Sequence, residues 1–150
     1  KWCSNKLALD RFDPGKLIKT IKKYKLNVGT NYMIGFPDET REEIENTINF
    51  AKRMKKNGLD HSNFYLVMPV PGTPIFDYCT KNGHLPLDYN PDKFQWTKAN
   101  LAKTEVSATE LEKIRDDAWN TCNHEEFKNM RKSWQVKNSL KNKENKPTAV

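Results

Sequence analysis

Two stretches of sequence decide the fold: residues 28–40, which read VGTNYMIGFPDET, and residues 62–74, which read SNFYLVMPVPGTP. Each opens with apolar and aromatic residues that favour a β-strand and closes with proline and glycine residues that end one. The predicted strands cover 28–35 and 62–68. Because the first strand is mostly apolar on both faces, we expect a parallel strand that is covered on both sides.

Side chains alternate along the first strand and fall into two sets. Asn31, Met33 and Gly35 share one face, whereas Tyr32 and Ile34 share the other. One face of the strand therefore carries a polar amide and a glycine.

A helix is predicted between the two strands. Thr40 and Glu43 have the spacing of a capping box, and Asn57-Gly58 supplies the stop. Between these points, apolar side chains recur at helical spacing at Ile44, Ile48, Ala51 and Met54. A strand, a helix and a second strand in this order form a βαβ unit, whose crossover should be right-handed.

Further helices are predicted on both sides of this unit. Asp13-Pro14 and Thr73-Pro74 each place a capping side chain before a proline, which is typical of a helix start. Ser107 has the spacing of a capping box with Glu110 and predicts a later helix that weakens at Asn123.

The composition excludes several classes of protein. The chain has 150 residues, of which 36% are hydrophobic and 11% are aromatic, so there is material for a core despite a mean hydropathy of -0.90. No stretch approaches the roughly 20 apolar residues of a membrane span, and no basic-then-apolar leader opens the chain. We therefore expect a cytoplasmic protein without membrane contact.

The positive charge is concentrated at the end of the chain. Lysine and arginine number 26 against 19 aspartate and glutamate residues, a net charge of +7, and most of the surplus lies in 131–150. A basic tail can contact nucleic acid or anionic lipid, but such tails are more often solvated termini. We therefore do not expect nucleic acid as a partner.

The cysteines do not form a recognisable site. Cys3, Cys79 and Cys122 are odd in number, far apart and without a C-x-x-C pair. This pattern argues against a disulfide framework and against a zinc site, and it indicates free thiols in a reducing compartment. We predict no metal ligands in this chain.

Two predicted strands are too few for an independent sheet, because both of their outer edges would be unpaired. Residue 1 is lysine rather than methionine. Together these observations predict the C-terminal part of a larger α/β protein.

The loops that follow the predicted strands are candidates for ligand binding. In α/β barrels and open sheets, ligands bind at the carboxyl ends of the strands, which here carry residues 35–40 and 69–74. Proline fixes the backbone of such a loop, and glycine lets a ligand approach it closely. The alternative is that both loops are simply tight strand-to-helix turns.

The order and content of these loops resemble the radical S-adenosylmethionine (SAM) enzymes. YMIGFPDETREEI, residues 32–44, is similar to that family's segment on the fifth barrel strand, and PVPGTP, residues 69–74, is similar to its segment after the sixth. The resemblance spans roughly residues 13–120. It is greatest to the subfamily that often carries an N-terminal cobalamin-binding domain.

The resemblance implies that the two loops line the SAM site. The cofactor-binding residues that it implies are Asn31, Met33, Gly35, Phe36, Pro37, Glu39, Met68, Pro69, Val70 and Gly72. Met33 and Gly35 would face the barrel lumen near the adenosine, and residues 68–70 would lie against the adenine. Gly72 would turn the chain.

Two of these residues have an alternative interpretation. Glu39 is either the acidic residue of the fifth-strand motif or a charge at a helix N-terminus. Asn31 is either a substrate or cofactor contact or a buried amide that a neighbouring strand satisfies.

The sequence departs from the family at two points. Asp38 stands where the family commonly has glycine, which aspartate can replace at modest cost if φ is positive there. The C-x-x-x-C-x-x-C that binds a 4Fe–4S cluster in this family is missing. The cluster ligands are therefore expected outside this chain, and the 150 residues alone should not turn over.

The predicted fold class is α/β: the C-terminal portion of a partial (βα)6 TIM-like barrel, followed by a helical C-terminal extension. Residues 1–83 would supply the last βα units of the barrel, and 84–135 the loop and helical extension. Residues 136–150 would form a disordered basic tail. The aromatic side chains of the extension, Tyr89, Phe94 and Trp96, would close over the substrate end of the barrel.

The leading functional hypothesis is part of a radical SAM iron–sulfur enzyme. It would cleave S-adenosylmethionine to start radical chemistry on a small-molecule or otherwise unknown substrate, with cobalamin-dependent methyl transfer as one option. Its partner would be the rest of the parent barrel. Two alternatives stay open: a non-catalytic α/β module whose basic tail contacts protein or nucleic acid, and a degenerate enzyme that kept only a nucleotide pocket.

Overall fold

The computed structural model describes residues 13–144, and their side chains from 13 to 135. Five helices and two strands follow one another as α1 (Pro14–Lys23), β1 (Gly29–Ile34), α2 (Arg41–Lys56), β2 (His61–Leu66), α3 (Pro74–Lys81), α4 (Ala108–Cys122) and α5 (Glu125–Glu144). A single 3₁₀ turn lies at Pro91–Lys93. The predicted α/β class is confirmed.

The two strands pair in parallel and are connected through α2. Asn31 lies opposite Asn63 and Met33 opposite Tyr65, so the carboxyl ends of both strands meet at one edge of the sheet. Within residues 13–144 the sheet has these two strands. Each strand is shorter than predicted, because the backbone turns at Gly35 with φ +81° and β2 ends before the proline-rich loop.

One face of the sheet forms the core. Tyr32, Ile34, Phe64 and Leu66 are buried on this face. They pack with residues of α2 and α4, among them Ala51, Ile44, Leu111 and Ala118. Burial of this apolar surface is the main source of stability.

The other face of the sheet is open, which corrects the expectation that the first strand is covered on both sides. Asn31 is exposed, and Met33 is 40% exposed. Asn63 and Tyr65 stand on the same face of β2 and are partly buried. Among the described residues, helices α2 and α4 cover the core face of the sheet, and no helix covers the open face.

The predicted helix starts are confirmed by their caps. Asp13 Oδ1 accepts from Gly15 N at 2.9 Å, and Thr73 Oγ1 accepts from Phe76 N at 3.3 Å. Thr40 and Glu43 form the complete capping box ahead of α2.

The capping box predicted at Ser107 is only half formed. Ser107 Oγ accepts from Glu110 N at 3.4 Å, as the spacing suggests. The Glu110 carboxylate instead forms an ion pair with Arg41, the first residue of α2. A long-range partner therefore replaces the local bond and ties α4 to α2.

The outer edge of β2 is closed by groups that are not strands. The Asn123 side chain accepts from Ser62 N and donates to Ser62 O, both at 2.8 Å. Arg115 Nε donates to Phe64 O at 2.9 Å. Leu66 N donates to Trp96 O at 2.8 Å. Four backbone groups of this edge, Ser62 N, Ser62 O, Phe64 O and Leu66 N, therefore already have partners, which leaves less for a further strand to bind.

Asn123 also separates the last two helices, at the predicted weak point. It caps α4 with φ -109° and ψ 147°, and α5 begins at Glu125. Phe127 stacks on His61 at the start of β2, with ring centroids 4.7 Å apart.

Helix α5 includes part of the segment 136–150, for which the sequence predicts disorder. Its backbone stays helical to Glu144, so residues 136–144 are part of a helix. Residues 145–150 lie outside the described part of the chain. Among the described residues, no helix combines the length and the apolar character needed to cross a membrane.

The closed edge of β2 yields a stability prediction. Asn123→Ala removes both bonds to Ser62 and leaves its buried backbone groups without partners, which should lower the free energy of unfolding by about 3 kcal/mol. Urea unfolding of the 150-residue chain measures this loss. Asn120→Ala, at an exposed position on the same helix, is the matched control. Equal stability of the two variants would contradict the role given to Asn123.

Candidate functional site

The loop after β1 is a type II turn. Glu39 N donates to Phe36 O at 3.1 Å, Pro37 is the second residue of the turn, and Asp38 is the third with φ +60°. A type II turn requires positive φ at its third position, where glycine is preferred and aspartate is tolerated. The departure from the family's glycine at Asp38 therefore falls on a residue with positive φ.

The Glu39 side chain folds back over this turn. Its Oε2 accepts from Gly35 N at 2.6 Å and from Phe36 N at 3.0 Å. These are the first two amides beyond β1, and the carboxylate fixes the direction in which the chain leaves the sheet. The Glu39 carboxylate binds its own loop, one residue before the Thr40 cap of α2, and this geometry is compatible with both interpretations of Glu39.

Partial burial raises the pKa of the Glu39 carboxyl above its ordinary value. The bonds from Phe36 N and Gly35 N act in the opposite direction and lower it, and burial outweighs them. The folded protein therefore favours the protonated form of this group more than the unfolded chain does.

The loop after β2 repeats the same turn. Thr73 N donates to Val70 O at 3.2 Å, Pro71 is the second residue, and Gly72 is the third with φ +81°. Both turns lead to a threonine that caps a helix: Thr40, the residue after the first turn, caps α2, and Thr73, the last residue of the second turn, caps α3. Two adjacent parallel strands thus end in two matching turns on the same edge of the sheet.

The two loops touch through α3. The Tyr78 hydroxyl, on α3, donates to the Asp38 carboxylate in the first loop. The His84 ring stacks on the Tyr78 ring at 5.7 Å, and its Nε2 lies 3.8 Å from Asp38 Oδ1. The first turn is therefore held to the helix that follows the second one.

The aromatic residues of the extension lie beside the second loop. Tyr89 Oη donates to Pro69 O at 2.8 Å, and the Tyr89 ring packs against Phe76 and Phe94. Trp96 packs edge-on against Tyr65, with ring centroids 5.6 Å apart, and is 55% exposed. The extension thus reaches both the second loop and the open face of the sheet.

The ten predicted site residues differ in their exposure. Four are exposed at the carboxyl edge or on the open face, Asn31, Met33, Val70 and Gly72, and three are partly buried, Phe36, Glu39 and Met68. Gly35, Pro37 and Pro69 are buried and shape the loops from within. Nothing lies within 4 Å of a Cβ built on Gly72, so the chain leaves open space there.

Asn31 is satisfied by a neighbouring strand but is not buried. Asn63 Nδ2 donates to Asn31 Oδ1 at 3.1 Å. Asn31 therefore combines part of both interpretations, since it has a strand partner and remains accessible on the open face. Asn63 carries no local signal of its own, but its register with Asn31 follows once the strands are paired.

The described residues do not fit an iron–sulfur cluster. Cys79 and Cys122 are both buried, and burial raises the pKa of the Cys79 thiol to about 11. Throughout the part of the chain that the structure describes, no three His, Cys, Asp or Glu side chains converge in a way that could hold a metal ion. Cys3 lies outside the described residues.

Comparison with known proteins identifies partial relatives. An uncharacterized methyltransferase of Pyrococcus horikoshii is 44% identical over 68 residues, which are 45% of this chain and 14% of that protein. A tRNA-2-methylthio-N(6)-dimethylallyladenosine synthase of Ehrlichia ruminantium is 31% identical over 67 residues, 43% of this chain and 14% of that protein. The synthase of the same name from Shewanella baltica is 33% identical over 63 residues, 41% of this chain and 13% of that protein.

The matched segments are a small part of these relatives, about one seventh of their length. No protein-family model matches the sequence. The names of these relatives are those of a methyltransferase and of methylthio-forming tRNA enzymes.

The raised pKa of Glu39 yields a pH prediction. Since folding raises this pKa, the stabilising contribution is complete below the ordinary value of about 4.5 and is lost as pH rises through the folded value. Glu39→Gln keeps an acceptor for the loop amides without the charge. Its stability relative to the natural chain should therefore increase between pH 4 and pH 7 in urea unfolding.

Two further variants make the test specific. Glu42→Gln removes an exposed carboxylate on α2 and controls for the general effect of charge. Glu39→Ala removes the acceptor from both loop amides and should lower the free energy of unfolding by about 1–3 kcal/mol. A stability difference between natural chain and Glu39→Gln that does not change with pH would contradict the prediction.

Proposed function

We propose that this chain is the C-terminal part of the barrel of a radical SAM enzyme that transfers a methyl or methylthio group. Its two strands would be the last two of the barrel, and their carboxyl-end loops would form one wall of the cofactor site. The names of the partial relatives, a methyltransferase and methylthio-forming tRNA enzymes, support this reaction class. The substrate of this chain is not specified by the proposal.

The pair of matching turns is the observation that carries the proposal. Parallel α/β proteins bind ligands at the carboxyl ends of adjacent strands, where backbone groups and loop side chains converge. Met33, Met68 and Val70 present accessible apolar surface at this edge, and open space surrounds the Cβ position of Gly72 beside them. This surface suits the flat apolar faces of an adenine ring.

The two edges of the sheet support the proposed position in a barrel. The outer edge of β2 is closed by Asn123, Arg115 and Trp96, as expected of a last strand. The outer edge of β1 has no strand partner among residues 13–144, as expected of a strand whose neighbour comes earlier in a longer chain. The open face, with Asn31 and Met33, would then line the lumen.

The residues of this chain would bind and orient the cofactor rather than activate it. When bound with a reduced 4Fe–4S cluster, SAM supplies a 5′-deoxyadenosyl radical in this family. Met33, Met68 and Val70 would hold its adenosine part, and the buried Pro69 would shape the second loop behind them. Glu39 fixes the loop that carries Phe36 and Pro37. The cluster ligands would lie outside this chain. Cobalamin dependence remains a prediction from the subfamily resemblance.

A non-catalytic binding module accounts for less of the structure. It explains neither the open edge of β1 nor the matching turns. A degenerate enzyme without its cluster domain would share both features and differs only in what precedes residue 1. The coding sequence upstream of Lys1 separates these hypotheses.

The upstream reading frame is the first test. The proposal expects it to continue and to encode a C-x-x-x-C-x-x-C a barrel's length before β1. A start codon immediately before Lys1 would overturn the radical mechanism for this chain and leave the degenerate enzyme or the binding module.

The cofactor wall yields a binding prediction for the full-length protein that this frame encodes. Val70→Asp places a carboxylate on the proposed adenine surface, which should weaken SAM binding about tenfold or more because burial of an unpaired charge is unfavourable. Isothermal titration measures the dissociation constant. Leu87→Asp makes the same exchange at a fully exposed position and is the matched control. Unchanged binding by Val70→Asp would contradict the proposed wall.

A further inference from the structure

His84 is a buried side chain that joins three segments of the chain. It is 5% exposed and follows α3, where its backbone N donates to Cys79 O at 2.9 Å. Its carbonyl accepts from Ala102 N at 2.8 Å, which connects it to the segment before α4. Its ring faces the first loop at Asp38. His84 therefore contacts α3, the segment before α4 and the first loop.

The ring contacts define which nitrogen carries the hydrogen. His84 Nδ1 lies 2.7 Å from Lys103 O, and a carbonyl oxygen can only accept, so Nδ1 must donate. In the neutral ring Nε2 is then a bare acceptor. It lies 3.8 Å from Asp38 Oδ1, which is also an acceptor. Two acceptors thus face each other across a gap at the first loop.

Protonation of Nε2 would convert this contact from unfavourable to favourable. A doubly protonated ring keeps its bond to Lys103 O and gains a donor directed at the Asp38 carboxylate, with opposite charge. Besides Asp38, the ring meets Lys103 through its backbone carbonyl and two titratable groups of α3. Tyr78 stacks on the ring and donates to the same carboxylate, and the buried Cys79 thiol lies beside them.

We propose that His84 is a positioning residue for the first loop, and that its protonation draws Asp38 and the turn 36–39 towards α3. Asp38 is the positive-φ residue of that turn, and its neighbour Glu39 holds the amides of Gly35 and Phe36. A change at Asp38 is therefore passed to the end of β1. The placement of the first loop relative to α3 therefore depends on pH through the contact of His84 with Asp38, separately from any effect of Glu39.

The effect on cofactor binding rests on the proposed function, whereas the contact itself does not. The proton-dependent movement can be measured in the 150-residue chain with no cofactor present. Its failure would leave the proposed SAM wall standing, and failure of the Val70→Asp test would leave the movement standing.

Nitrogen-15 NMR tests the proposal directly. The expected result has two parts: the neutral His84 ring carries its hydrogen on Nδ1, and the backbone amide signals of Asp38 and Glu39 shift with the same midpoint as the ring. Asp38→Asn should abolish that step in the Glu39 amide signal, because the carboxylate charge is gone while the acceptor for Tyr78 remains. His124→Gln, at an exposed histidine, should leave the step unchanged.

Two results would overturn the proposal. One is a neutral ring with its hydrogen on Nε2, and the other is an amide step that persists in Asp38→Asn. Glu39→Gln removes the neighbouring carboxylate and shows that the step does not come from Glu39. His84→Gln should also abolish the step. If that variant does not fold, Asp38→Asn still decides, since the Asp38 side chain is 61% exposed and its loss leaves the packing intact.

Discussion

The need of a sheet edge for hydrogen-bond partners organises the whole chain. Two parallel strands have two outer edges, and this chain closes one of them with its own residues. Arg115 lies on α4, Asn123 is the residue after that helix and Trp96 lies in the loop before it, yet all three bind the backbone of β2. Helix α4 therefore does two tasks, because it covers the apolar face of the sheet and terminates the sheet at β2.

The two matching turns differ in the residue at their third position. Both use a proline followed by a residue with positive φ, and both lead into a threonine-capped helix. Gly72 gives the second turn open backbone and no side chain. Asp38 adopts the same backbone conformation in the first turn and adds a carboxylate, to which Tyr78 binds and His84 is directed. Aspartate adopts positive φ less easily than glycine, but its carboxylate connects the first turn to α3.

Local features of the fold could be predicted from the sequence, because their signals are contained within a few residues. The caps at Asp13, Thr40 and Thr73, both strands and the break at Asn123 belong to this class. Contacts between distant residues could not be predicted. The pairing of Glu110 with Arg41 replaced the second half of a local cap, and nothing near His84 indicated that its ring faces Asp38. The open face of β1 was missed for a similar reason. Apolar residues indicate that a face is covered, but they do not show whether this chain or another part of a longer protein covers it.

The unpaired edge of β1 has a consequence for how the chain behaves when it is made on its own. Residues 29–34 contain neither lysine nor proline, and no bulge interrupts their pairing with β2, so the described residues show none of these three guards against edge-to-edge association. In a longer chain, earlier strands would be synthesised first, and β1 could pair with one of them as it leaves the ribosome. When the 150 residues are produced separately, this edge has no strand partner among residues 13–144, so low protein concentration should favour folding over pairing with a second copy.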